Sequence, residues 1–266
     1  MPFVMSTDGT PIHYEMAGQG RPLVLMHGLA TDLTVWELSG YVDALAHDHL
    51  LVMIDALGHG RSGRPSDPST DTDERRVQDV LMVADAAGLE RFAVWGWSAG
   101  AWTGWVTAEG APERVVAVIA TGQWELEPAV TDEPWEEWDS WIRQPVEQQG
   151  MQVVIERMEE IERGPIPDWM RDLILRTDPE VFLGANTRED FRRGFTDLSV
   201  FRLPVLLIAG EFEDPDEAVH QLAHRLPHAE SHVLPGLGHC GAFVRSALTV
   251  PIVRVFLERA FPWPGA

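Results

Sequence analysis

The 266-residue chain predicts an α/β fold: a mostly parallel central sheet flanked by helices, with a helical cap insertion. Three observations carry that expectation. Apolar runs of strand length alternate with helical patterns over residues 1–121. The alternation stops over 122–203 and resumes over 204–266. The residues best suited to chemistry stand just past the carboxyl ends of predicted strands, where such sheets bind ligands.

Residues 3–16 read as two strands joined at Asp8-Gly9, a strong hairpin signal. The apolar run 23–26 suits a buried strand and ends at His27-Gly28. Val35, Leu38, Val42 and Leu45 follow at helical spacing. Residues 50–54 form the next buried strand, running into the Gly-rich loop Asp55-Ala56-Leu57-Gly58-His59-Gly60-Arg61-Ser62. A helix over about 73–87, a strand at 92–95, a helix of small residues and a strand at 115–120 complete the first stretch. Residues 122–203 are rich in acid, tryptophan and helix formers, with breaks at Pro145, Gly164-Pro165 and Pro167. They are expected to form several short helices over the sheet edge. The core would then comprise 1–121 and 204–266, and the cap 122–203. A strand at 205–209, a helix near 217–225, a strand at 231–234 and a helix over about 245–259 close the chain.

Composition narrows the function. A formal charge of −22 argues against nucleic acid as a partner, because phosphate binding needs a basic face. No apolar run reaches the roughly 18 residues of a membrane helix. The start lacks a basic region followed by an apolar stretch, so no signal peptide is expected. One cysteine, Cys240, excludes an internal disulfide framework and suits a reducing compartment. A cytoplasmic location is expected, with no cofactor and no metal. The expected partner is a small-molecule substrate, and a homodimer is compatible with the sequence.

Trp95 to Ala101 reads Trp-Gly-Trp-Ser-Ala-Gly-Ala, which places Ser98 in a G-x-S-x-G pattern between a strand and a helix. Gly96 and Gly100 make room for a tight turn that leaves the serine hydroxyl at the sheet rim. Serine needs a base to become a nucleophile. Among ten histidines, position discriminates. His47, His49, His220, His224 and His228 fall on helices or connections and read as solvated, while His13 and His232 lie within strands. His239 stands in a Gly-rich loop just past the last predicted strand and is the expected base. A carboxylate must hold its tautomer. Gly210-Glu211-Phe212-Glu213-Asp214-Pro215 offers several, and Glu213 has the better distance from the strand end. Asp214 also suits a helix cap beside Pro215 and stays open as the alternative acid. The backbone amides of Leu29 and Ala99 are the expected oxyanion donors.

With these parts in order, the chain resembles the α/β-hydrolase superfamily over nearly its whole length. His27-Gly28-Leu29, Asp55-x-x-Gly58-x-Gly60-x-Ser62, the Ser98 turn, Gly210-Glu211-x-Glu213 and Gly238-His239 carry the likeness. The resemblance implies a Ser98–Glu213–His239 triad beneath a helical cap inserted after the sixth strand, and a structural role for Asp55. The family's acid is more often aspartate, which keeps Asp214 in view. Serine at 98 argues against the haloalkane dehalogenase and epoxide hydrolase branches, which use aspartate there. Gly96-Trp97-Ser98 and Arg176-Thr177-Asp178 are locally similar to parts of acyl-homoserine-lactone hydrolases.

The expected reaction is hydrolysis of a carboxylic ester or lactone through an acyl-enzyme, with Trp97, Trp36 and Trp124 expected to contact an apolar substrate. The alternatives are a carbon–carbon bond hydrolase or cofactor-free oxygenase on the same fold, and a non-catalytic ligand receptor. Such oxygenases often carry histidine before the nucleophile, where this chain has Trp97. An intact nucleophile, base and acid argue against a receptor.

Overall fold

The computed structural model describes residues 2–65, 70–123, 125–185, 193–213 and 217–262. Among them, eight strands form one sheet in the order β1-β2-β4-β3-β5-β6-β7-β8. The strands are β1 (Phe3–Met5), β2 (Pro11–Gly18), β3 (Arg21–Met26), β4 (His49–Ile54), β5 (Phe92–Trp97), β6 (Val115–Thr121), β7 (Val205–Gly210) and β8 (Ala229–Leu234). β2 runs antiparallel to both β1 and β4, and every pairing from β4 onward to β8 is parallel. The hairpin turns through Gly9, whose φ of 84° suits glycine.

Helices cover both faces. α1 (Val35–Leu38), α2 (Tyr41–Leu45), α3 (Asp73–Ala86) and α4 (Ala99–Gly110) fall between the first six strands. Between β6 and β7 lie α5 (Glu133–Trp138), a π turn (Asp139–Arg143), α6 (Gln144–Gln149), α7 (Gln152–Glu162), α8 (Asp168–Arg176), α9 (Pro179–Gly184) and a 3-10 turn (Leu198–Val200). α10 (Ala218–Arg225), α11 (His239–Val244) and α12 (Ser246–Ala260) end the described chain.

The two-residue period of the strands decides what each layer buries. Leu23, Leu25, Leu51, Ala93 and Trp95 point into one apolar layer, with α1, α2, α12 and apolar residues of the β6–β7 segment. Val24, Met26, Val52, Val94 and Val118 point into the other, with α3, α4 and α10. Both faces are covered, so the parallel strands read as nearly unbroken apolar runs. Leu23, Leu25 and Leu51 are fully buried; each such side chain contributes about 1.5–3 kcal/mol.

Three local features depart from the sequence reading. The helical pattern over 35–45 breaks at Gly40, whose φ is 81°, so two short helices form. The Gly-rich loop expected at His239 becomes the first turn of α11, because Cys240, Ala242 and Phe243 pack into the core. His49, expected in solvent, is fully buried at the start of β4 with Nδ1 3.0 Å from Asp48. No described helix is long and apolar enough to cross a membrane.

The start of α4 is the tightest point near the sheet rim. A Cβ at Gly100 would stand 2.3 Å from the Met26 carbonyl oxygen and 2.5 Å from that of His27. These are backbone atoms that cannot turn aside. Gly100→Ala is therefore expected to destabilise the fold by about 3 kcal/mol or more, read as a lowered midpoint in urea denaturation. An unchanged midpoint would contradict this close approach.

Candidate active site

Ser98 joins β5 to α4 with φ 54° and ψ −122°, a backbone state costing a non-glycine residue about 1–3 kcal/mol. Its neighbours hold it there. A Cβ at Gly96 would lie 2.1 Å from the Gly100 carbonyl oxygen, so only glycine fits beneath the turn. The Ser98 N–H donates to the Thr121 carbonyl at 2.8 Å, and the Ser98 carbonyl accepts from Ala101 N–H at 2.8 Å.

Gly122, the residue just past β6, carries this register to the imidazole. A Cβ there would stand 2.7 Å from His239 Cε1, and φ at Gly122 is 68°. His239 Nδ1 lies 2.5 Å from Glu213 Oε2, while Glu213 Oε1 accepts the Gly210 N–H at 2.7 Å. An ionised carboxylate only accepts, so Nδ1 carries the proton and Nε2 keeps the basic lone pair. Only 6% of the Glu213 side chain and 16% of the His239 side chain are exposed. Burial works against the charged imidazolium. The charge and hydrogen bond of Glu213, and then the charge of Glu162, outweigh it and raise the His239 pKa above the usual histidine value.

Ser98, His239, Leu29 and Ala99 all line one cavity of about 790 Å³. Much of its wall is apolar, from Trp97 on β5 and from Trp138, Trp141, Met158 and Phe182 on the β6–β7 segment. Neither Leu29 N–H nor Ala99 N–H donates a hydrogen bond among the described residues. The loop before Leu29 is built from within. His27 Nδ1–H donates to the Gly28 carbonyl at 2.8 Å, and His27 Nε2 accepts from Ala56 N–H at 3.0 Å. Thr31 Oγ1 adds a second bond to the Gly28 carbonyl at 2.7 Å. Asp55 accepts from Leu33 N–H, Arg61 N–H and His13 Nδ1 at 2.8–2.9 Å, which ties the Gly-rich loop to β2.

The tryptophans divide. Trp97 lines the cavity, its ring stacked on Phe243 at 4.4 Å and 5.5 Å from the His239 ring. Trp36 does not reach the cavity, contrary to the sequence expectation. It is fully buried, edge-on to Tyr41, Trp95 and Phe243 at 5.0–5.3 Å, so it is core. Trp124 and Asp214 lie outside the described residues. Beside His239, the Cys240 thiol is a poor rival nucleophile. Burial, then the charges of Glu162 and Glu213, push its pKa well up. Among the described residues, no group of His, Cys, Asp and Glu is placed to hold a metal ion.

Sequence reasoning missed Glu162. Its carboxylate accepts from Gly238 N–H at 3.2 Å and from Cys240 N–H at 2.6 Å. A single glutamate at a helix end carries no signal that it will meet a loop 76 residues later.

Comparison with known proteins gives the family of the fold. A family model described as alpha/beta hydrolase fold matches residues 21–171. A pimeloyl-[acyl-carrier protein] methyl ester esterase from Nitrosomonas europaea is 28% identical, over 86% of this chain and 92% of its own length. A putative carbamate hydrolase, RutD, from Azorhizobium caulinodans is 35% identical over 47% of this chain, which spans only 45% of that relative. Among solved structures, a thermophilic esterase from Thermogutta terrifontis with malate bound superposes with TM-score 0.82 at 22% identity. That match covers 98% of this chain and 99% of the other and speaks for the fold alone.

The electrostatics around His239 are open to direct measurement. Its ring is expected to titrate above the ordinary histidine value of about 6.5. In Glu213→Gln the pKa falls, because the burial penalty stays while the opposing charge is gone. Histidine ring resonances followed against pH by NMR report both, and a pKa unmoved by the substitution would show that Glu213 does not govern the ring.

Proposed function

Since the chain belongs to the alpha/beta hydrolase fold family, we propose that it hydrolyses a carboxylic ester or lactone of a small apolar substrate through an acyl-enzyme on Ser98. The observation that carries this reading is that His239, held 2.5 Å from Glu213, lines the same cavity as the strained Ser98. The relatives named as a methyl ester esterase and a carbamate hydrolase support acyl transfer to water.

The chemistry follows from the donors and acceptors at hand. Ser98 Oγ attacks the substrate carbonyl carbon while His239 Nε2 takes the hydroxyl proton. Glu213 stabilises the imidazolium through Nδ1–H without itself accepting the proton. The carbonyl oxygen becomes an oxyanion, met by the free amides of Leu29 and Ala99; a donor of this kind is worth about 3 kcal/mol. The imidazolium then returns its proton to the departing alkoxide, and the alcohol leaves, or in a lactone stays attached as a hydroxyl. Water, deprotonated by His239, attacks the acyl carbon and releases the acid, restoring Ser98. The β6–β7 helices serve as the cap. Their aromatic and aliphatic side chains favour an apolar acyl or alcohol group over a sugar or phosphate.

Purified protein should therefore turn over p-nitrophenyl esters, and Ser98→Ala should lower that turnover by about 10³-fold or more. Undiminished turnover in that variant rejects Ser98 as nucleophile. The acid can be assigned the same way. Glu213→Gln is expected to lower kcat by about 10²–10⁴-fold and Asp214→Asn to leave it within a few-fold; the opposite ranking moves the role to Asp214. A panel of esters, lactones and diketones, with oxygen uptake monitored, identifies the bond that is cleaved.

A further inference from the structure

Glu162 is the last residue of α7, and its carboxylate lies against the start of α11. One oxygen takes the Cys240 N–H at 2.6 Å and the other the Gly238 N–H at 3.2 Å. The residue between those two donors is His239. An anion at the carboxyl end of its own helix faces the negative end of that helix dipole, so α7 does not favour it. The amides of α11 do. Two glycines also shape the seat: a Cβ at Gly238 would stand 2.7 Å from Glu162 Oε1, and one at Gly241 2.6 Å from Oε2. Gly-His-Cys-Gly is thus fitted around a carboxylate supplied by the cap.

We propose that Glu162 is a positioning residue for the general base, fixing the backbone on both sides of His239 and supporting, by its charge, the imidazolium formed when Ser98 is deprotonated. The proposal rests on the hydrolase reading above. The charged groups around the ring are few. Glu213 approaches from the β7 loop and Glu162 from α7. Cys240, on α11 itself, has its thiol pKa pushed up by burial and stays neutral. Glu211 is engaged by the Gly236 N–H at 2.7 Å, and the Arg163 guanidinium lies over the Phe212 ring at 4.0 Å. Glu213 is the one carboxylate bonded to the imidazole among the described residues, and Glu162, bonded to the flanking amides, acts on the ring through its charge.

The test separates charge from reach. Glu162→Gln keeps the shape and loses the charge. The His239 titration followed by NMR should then move to lower pH by about half a unit or more, and the acid limb of kcat/KM for a p-nitrophenyl ester should move the same way. Glu162→Asp keeps the charge but is one methylene short of spanning both amides. Its kcat should fall about tenfold, while KM and the acid limb hold. A simple staple between cap and core would lower thermal stability or raise KM in both variants and leave the titration unmoved. An unmoved titration in Glu162→Gln, or full kcat in Glu162→Asp, overturns the proposal. The NMR measurement needs no turnover. If the wild-type protein cleaves no ester, the hydrolase reading fails while the titration still decides whether Glu162 governs His239.

Discussion

Everything at the mouth of the cavity depends on how closely α4 begins against the ends of β3 and β5. Backbone atoms from three elements meet where Gly96 and Gly100 have no side chain. That approach sets Ser98 on its strained turn and places the Ala99 amide near the loop that carries Leu29. It also registers the turn against β6 through the Ser98–Thr121 bond. A strained residue persists only where its surroundings over-determine it. Here the packed strands on either side, fully buried over Leu25, Val94, Trp95 and Val118, provide that rigidity.

The histidine solves a different problem. An imidazole in an apolar pocket is held neutral by desolvation, and a carboxylate alone in the same pocket would be costly. Each satisfies the other. Glu213 has both oxygens bonded, one to His239 and one to the Gly210 amide, so neither buried oxygen is left without a partner. Gly210 sits close enough to the Gly238 and Leu237 carbonyls that a Cβ would lie 2.4–2.5 Å from them. The acid loop and the histidine loop are therefore one packed unit, and the ring orientation follows from backbone contacts as much as from the ion pair.

How much of this was legible depended on range. The strands and the Ser98 turn showed in the sequence because their causes are local: runs such as Leu23-Val24-Leu25-Met26, and glycines two residues either side of a serine. Ser98, His239 and Glu213 were findable because a parallel sheet gathers the carboxyl ends of its strands. Trp36 was misread because nearness in sequence to the loop at Leu29 does not say which way a side chain points. Its ring packs instead into the aromatic core with Tyr41 and Phe243. His49 was misread because strand β4 begins a residue earlier than its apolar run, which drew the imidazole inside. Glu162 was invisible because its meaning lies in a tertiary contact. The close approach of its carboxylate to Gly238 and Gly241 shows only in the structure.

Glu162 belongs to the element that also shapes the pocket. Val154, Met158 and Glu162 are spaced four residues apart, so they share one face of α7. The first two line the cavity and the third holds the backbone beside His239. A rigid helix cannot move its upper part without moving its end. The pocket wall at Val154 and Met158 and the amide contacts beside His239 are therefore carried by one helix. On the proposed hydrolase reading, the helix that lines the pocket is also the one that holds the backbone beside the base.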